Sequence, residues 1–176
     1  MDIKANAIEG SYTIDIRRIE DDRGFFARTW CRKELADAGL NNQIAQINTA
    51  LSLSSGTLRG MHLQSPPHEE VKIVSCSAGA VFDVVVDLRP ESRTYCQWFG
   101  VELSAQNQRM LYIPEGCAHA YQTLEDNTVL NYTTSAMYAP DAATGVRYDD
   151  SAFGIRWPKP VSLISAADAG WPDFEI

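Results

Sequence analysis

The stretch GTLRGMHLQ (56–64) sets Arg59 and His62 in a run otherwise built of strand-forming and small residues. A strand serving only a core would carry apolar side chains there. His119, in PEGCAH (114–119), is a second histidine embedded in strand-forming sequence. With Glu69 these two histidines supply three residues of the types that bind divalent metals. Lys72 opens VKIVSCSAG, where a lysine ordinarily faces solvent. Asp83 and Asp87 in FDVVVDLR, and Asp149–Asp150, have the spacing of carboxylate pairs, but they read here as structural residues at strand ends and turns. Tyr132 and Tyr138 in NYTTSAMY share parity and could line one face of a strand. His68 lies in the turn SPPHEE and reads as a solvated side chain.

The elements that must position these residues are short alternating runs separated by turn residues. Strands are predicted at 12–19, 25–30, 43–53, 56–64, 71–78, 80–88, 94–103, 109–114, 117–124 and 128–138. One helix is predicted over 32–40, with Gly39 as its stop. So many strands at this spacing, with no helices between them, indicate an all-β sandwich or barrel. Lys72 follows His62 by the length of a hairpin turn, which predicts paired strands with both side chains in one cavity. Arg59 and His62 have opposite parity, so a bulge at Gly60 is needed to turn both inward.

Length and composition narrow the classes. The 176 residues suit a single domain, 1–176, and the 45% hydrophobic content is that of a globular chain. No apolar run is long enough to span a membrane, and MDIKANAIEG lacks the features of a signal peptide. Four scattered cysteines (Cys31, Cys76, Cys96, Cys117) read as reduced thiols and point to the cytoplasm. A net charge of −8 argues against nucleic-acid binding, while local arginines still permit a small anionic ligand.

Gly56 six positions before His62, and later P-x-G-x-x-H, resemble the two halves of the cupin signature, a jelly-roll motif. Metal-binding cupins continue with a second histidine and end with an asparagine; Gln64 and Thr123 stand at those positions. A site of His62, Glu69 and His119 remains an alternative.

A closer resemblance covers the chain from about residue 15 onward. DDRGFFARTW, QINTALS, GTLRGMHLQSPPHEEVKIVSCSAGAVFDVVVDLRPESRTY, LSAQNQRMLYIPEGCAHAYQTL, NYTTSAMYAP and FGIRWP resemble the dTDP-4-dehydrorhamnose 3,5-epimerase family. The resemblance implies a cupin-like jelly roll with a few short helices that works as a homodimer without metal or other cofactor. The implied reaction inverts C3, C5 or both in a nucleotide-linked 4-keto-6-deoxy-hexose. It needs a base, a group to hold the enolate oxygen and an acid across the ring. By this resemblance His62 is the base, Asp168 its acidic partner, Lys72 the cation at the C4 oxygen and Tyr132 the acid. Substrate contacts are implied for Arg23, Phe26, Gln46, Asn48, Arg59, His119 and Tyr138: arginines for the diphosphate, Tyr138 for the base, His119 for the sugar. Two departures stand out. Arg28 occupies a position where many members have glutamate, and the common GFAHGF is here GCAHAY, so Cys117, Ala120 and Tyr121 change the wall beside the sugar. A silent nucleotide-sugar binding protein is a third reading, against which the full set of acid–base residues counts.

Overall fold

A computed structural model describes residues 1–175. In chain order the strands are β1 (Asp2–Ala5), β2 (Tyr12–Asp15), β3 (Arg18–Asp21) and β4 (Gly24–Ala27). Helix α1 (Arg32–Asp37) follows, then β5 (Gln46–Ser52), β6 (Leu58–Gln64), β7 (Lys72–Ala78) and β8 (Ala80–Asp87). The chain continues through β9 (Trp98–Ser104), β10 (Met110–Ile113), β11 (Cys117–Thr123), β12 (Thr128–Thr134), β13 (Ala143–Gly145) and α2 (Ala166–Ala169). A six-stranded sheet, β1-β2-β10-β7-β12-β5, faces a five-stranded sheet, β13-β6-β11-β8-β9, and β3–β4 form a separate hairpin. This is the expected all-β jelly roll.

Strand β8, AVFDVVVD, explains how the layers stack. Its apolar residues run almost without interruption because both of its faces are buried. Val81 and Val85 turn into the space between the sheets, with Val74, Leu103, Leu111, Ile113, Tyr121 and Leu130. Val84 and Val86 turn outward, under Phe153, Trp157 and the rest of the C-terminal segment. Each such valine contributes about 1.5 kcal/mol or more by leaving water. The opposite case is β5, whose burial alternates: Gln46, Asn48 and Ala50 lean inward, while Ile47, Thr49 and Leu51 are exposed.

Several expected boundaries move. The run 12–19 divides into β2 and β3, and 25–30 ends at Ala27. The strand expected from 94 begins only at Trp98, because Cys96 takes a left-handed φ of 61° that a strand does not accommodate. Helix α1 stops at Asp37, with Gly39 at φ 72° just beyond it. Strand β12 ends at Thr134, so Tyr138 lies past it and the shared-strand argument for the two tyrosines does not hold.

The largest correction concerns the turn at SPPHEE. Strand β6 pairs with β11 and β13, whereas β7 pairs with β10 and β12, so the two form no hairpin. Gln64 accounts for the crossing. Its Nε2 donates to the His68 carbonyl (2.8 Å), Glu70 Oε2 (3.2 Å) and the Met137 carbonyl (3.3 Å), and its Oε1 accepts from Ala139 N (2.7 Å). This buried amide latches the crossover to the loop after β12. Lys72 and His62 therefore approach one another from opposing sheets.

The bulge at Gly60 is present. His119 pairs with His62 and Tyr121 with Arg59, so β6 spends one residue more than β11 over the same span. Gly60 sits at φ 130°, and a Cβ there would lie 2.6 Å from Ala120 Cα and 2.7 Å from the His119 carbonyl. Gly60→Ala is expected to destabilise the fold by about 1–3 kcal/mol through overpacking, read as a lowered midpoint in thermal or urea unfolding. A midpoint equal to the parent's would mean that the bulge tolerates a side chain.

Candidate active site

The bulge puts Arg59 and His62 on the same wall of a cavity lined also by Thr57, Leu58, Leu163, Ile164, Ser165 and Asp168. His62 Nε2 lies 2.7 Å from Asp168 Oδ1, and the second oxygen, Oδ2, accepts the Gly60 amide at 3.1 Å. A carboxylate that accepts both ways ties the ring to the bulge. Since the carboxylate is only an acceptor, Nε2 carries the proton and Nδ1 keeps the free lone pair. The His62 side chain remains 48% exposed, so that nitrogen is open to a ligand.

Asp168 reaches His62 because the C-terminal segment is fastened to β6. Leu58 N donates to the Leu163 carbonyl at 2.8 Å, and Thr57 and Leu163 form a parallel bridge. Ser165 then caps α2, accepting from the Asp168 amide at 3.0 Å. Four residues of helix lie below what periodicity can reveal, and α2 went unforeseen for that reason.

From the facing sheet come Lys72 and Tyr132, on the neighbouring strands β7 and β12. Lys72 is buried, 3.1 Å from Glu70 Oε1, and its Nζ donates to the His62 carbonyl at 3.4 Å. Tyr132 packs against the inter-sheet core. Burial raises its pKa, the Glu70 carboxylate adds to the rise and Arg59 opposes it. At neutral pH its phenol therefore holds its proton. Below, on β11, His119 Nε2 donates to the buried Asp83 at 2.8 Å.

The arrangement can abstract a proton from one side of a ligand, stabilise an oxyanion and deliver a proton from the other side. Comparison with known proteins points the same way. Residues 5–175 match the family model described as dTDP-4-dehydrorhamnose 3,5-epimerase. The chain belongs to this family. A dTDP-4-dehydrorhamnose 3,5-epimerase of Sinorhizobium fredii is 41% identical over 163 residues, which are 90% of this chain and 82% of that one. The crystal structure of the Elizabethkingia anophelis dTDP-4-dehydrorhamnose 3,5-epimerase superposes with a TM-score of 0.96 at 36% identity, covering 99% of this chain and 96% of the other. That of the Bacillus anthracis dTDP-4-dehydrorhamnose 3,5-epimerase, with TDP and PPi bound, gives 0.95 at 34% identity, covering 98% and 99%.

In this member of the epimerase family the expected residues divide into two groups. Arg59, His62 and His119 lie on the paired strands β6 and β11, Lys72 and Tyr132 on β7 and β12 of the other sheet, Asp168 reaches His62 from α2, and Gln46 and Asn48 are the half-buried positions of β5. Gln46 Oε1 accepts from the Tyr138 amide at 2.8 Å, and the Tyr138 side chain is exposed. Arg23 and Phe26 are not among them. Both lie on the β3–β4 hairpin, Phe26 is 64% exposed, and Arg23 is engaged by Asp21 at 2.5 Å.

Among the described residues no three His, Cys, Asp or Glu side chains gather as metal ligands, so His62, Glu69 and His119 do not form the three-ligand cluster of the alternative. Asp83 also corrects the sequence reading, since it sits in mid-strand, bonded to His119, and not at a strand end. Its signal was a carboxylate breaking a valine run. Glu70, two residues before its partner Lys72, is a site neighbour that the sequence reading missed.

Proposed function

We propose that this chain is a nucleotide-sugar epimerase that inverts C3, C5 or both in a dTDP-4-keto-6-deoxy-hexose in deoxysugar biosynthesis. The His62–Asp168 pair at 2.7 Å, opposite the Tyr132 phenol and the Lys72 ammonium, carries the reading. Nδ1 of His62 takes the proton α to the ketone. Charge moves onto the C4 oxygen, where Lys72 stabilises it. Tyr132 gives a proton to the opposite face of the same carbon, its phenolate regains one from solvent, and the His62 imidazolium releases the abstracted proton to solvent. The ketone supplies the acidity, so the scheme uses no metal or organic cofactor.

A homodimer belongs to this reading. Ile19, Phe25 and Phe26 stand exposed on the hairpin, and Ile47 and Leu51 on the outer face of β5, the edge strand. A second copy would cover them, and Arg23 and Phe26 would then reach its nucleotide. The free thiols of Cys31, Cys76, Cys96 and Cys117 fit the reducing cytoplasm.

Incubation with a dTDP-4-keto-6-deoxy-hexose in deuterated water tests the reaction. Deuterium at C3, C5 or both, with inverted configuration by NMR at each labelled carbon, is expected; an unexchanged substrate would overturn the proposal. Arg59 gives a separate test of binding. Its Nε reaches Ser52 Oγ at 3.3 Å and its Nη2 the Leu51 carbonyl at 3.2 Å, which leaves donors of the fork for a diphosphate. Arg59→Ala should weaken dTDP binding by about 1.5–3 kcal/mol in calorimetric titration. Unchanged affinity would remove Arg59 from the diphosphate site.

A further inference from the structure

Among the described residues, the ion pairs Lys4–Asp15 and Lys33–Asp37 leave their lysines in water. Lys72–Glu70 does not. Its two side chains are only 11% and 10% exposed, with Lys72 Nζ 3.1 Å from Glu70 Oε1. Withdrawing two charges from water is costly, and the gain from pairing them often falls short of that cost. Such a pair calls for a reason beyond stability, and here one partner is the cation assigned to the C4 oxygen.

Glu70 is held from its other side as well. Its Oε2 accepts from Gln64 Nε2 at 3.2 Å, and Gln64 Oε1 accepts the Ala139 amide at 2.7 Å. Gln64 is buried at the end of β6, so the carboxylate is fixed between that strand and the loop after β12. The carboxylate in turn fixes the ammonium. Nζ carries three hydrogens, and the described residues offer it two acceptors, Glu70 Oε1 and the His62 carbonyl at 3.4 Å. One hydrogen is left for a ligand, on the residue next to the proposed base. A lysine buried without a counter-charge tends to give up its proton, and a neutral amine stabilises an enolate poorly. Glu70 is the carboxylate in place to prevent that, and it is anchored before any substrate arrives.

We propose that Glu70 is a positioning residue for the reaction: anchored by Gln64, it is the counter-ion that holds the Lys72 ammonium at the oxygen where enolate charge develops. The inference rests on the epimerase reading above and deepens it, since Glu70 acts through Lys72 and not on the substrate.

Glu70→Gln tests this, because it keeps the size of the side chain and an oxygen for Gln64 but removes the charge. The readout is α-proton exchange at neutral pH, since enolate formation does not need Tyr132, whose phenol the Glu70 charge also reaches. The variant should lower kcat for exchange by roughly ten- to a hundredfold, less than the loss of about 10²–10³-fold on deleting an oxyanion donor outright. KM and dTDP affinity should stay within about twofold, the pattern of an interaction felt only in the transition state. Glu70→Asp keeps the charge, and with it the fold, but draws the carboxylate back by one methylene; it should lower kcat in the same sense. In a Lys72→Met background Glu70→Gln should cost no further activity, because the group through which it acts has gone. Parental kcat in both Glu70 variants, a rise in KM in place of the fall in kcat, or equal fractional losses with and without Lys72 would overturn the assignment. If the parent itself exchanges no α-proton, the epimerase reading falls and this inference with it.

Discussion

His62→Ala is expected to lose α-proton exchange by about 10²–10⁴-fold while binding dTDP almost as tightly as the parent. The two halves of that result come from different parts of the site. In the proposed reaction Nδ1 of His62 is the base, and removing the imidazole leaves the Asp168 carboxylate with the Gly60 amide. The nucleotide half depends on Arg59 and the β5 wall, which the substitution does not touch. At ~1.4 kcal/mol per decade, the rate loss amounts to about 3–5 kcal/mol of transition-state stabilisation. Exchange into the substrate's α-carbons, followed by mass spectrometry, and dTDP titration measure the two halves separately. Near-parental exchange would assign the base elsewhere, with His119 the next imidazole in the same space.

Tyr132→Phe separates proton exchange from inversion. A base on one face can take a proton and return it without changing configuration. Inversion needs a donor opposite, and Tyr132 stands on the facing sheet with burial and Glu70 both holding its proton in place. The phenylalanine variant keeps the ring against the core but has no proton to give. It should incorporate deuterium while forming inverted product about 10²–10⁴-fold more slowly. If exchange and inversion fall together, Tyr132 positions the substrate and the donor is another group. The raised pKa adds a sign. Inversion by the parent should persist as pH rises through the ordinary tyrosine value near 10 and fail only above it, as Tyr132 loses its proton.

Much of the fold was legible because alternation reports faces directly. Strands β5, β6, β7, β11 and β12 lie within the expected runs, and the parity conflict between Arg59 and His62 foretold the bulge. Periodicity does not report neighbours. It shows which side of a strand is buried but not which strand lies beside it, so the crossing at 65–70 was taken for a hairpin. Asp83 was misjudged for the same reason: it acquires its meaning from His119 on another strand. Asp168 was found only through the family resemblance. Nothing in VSLISAADAGWP announces a ligand for a histidine on β6.

That separation has a consequence for how the molecule becomes an enzyme. The bond from Asp168 to His62 spans 106 positions of chain. Strands β6 and β11 supply Arg59 and His62, but the carboxylate that orients the imidazole arrives only with the C-terminal segment. A chain with that segment undocked would carry His62 without its Asp168 partner. Turnover thus reports that the final stretch of the chain has docked.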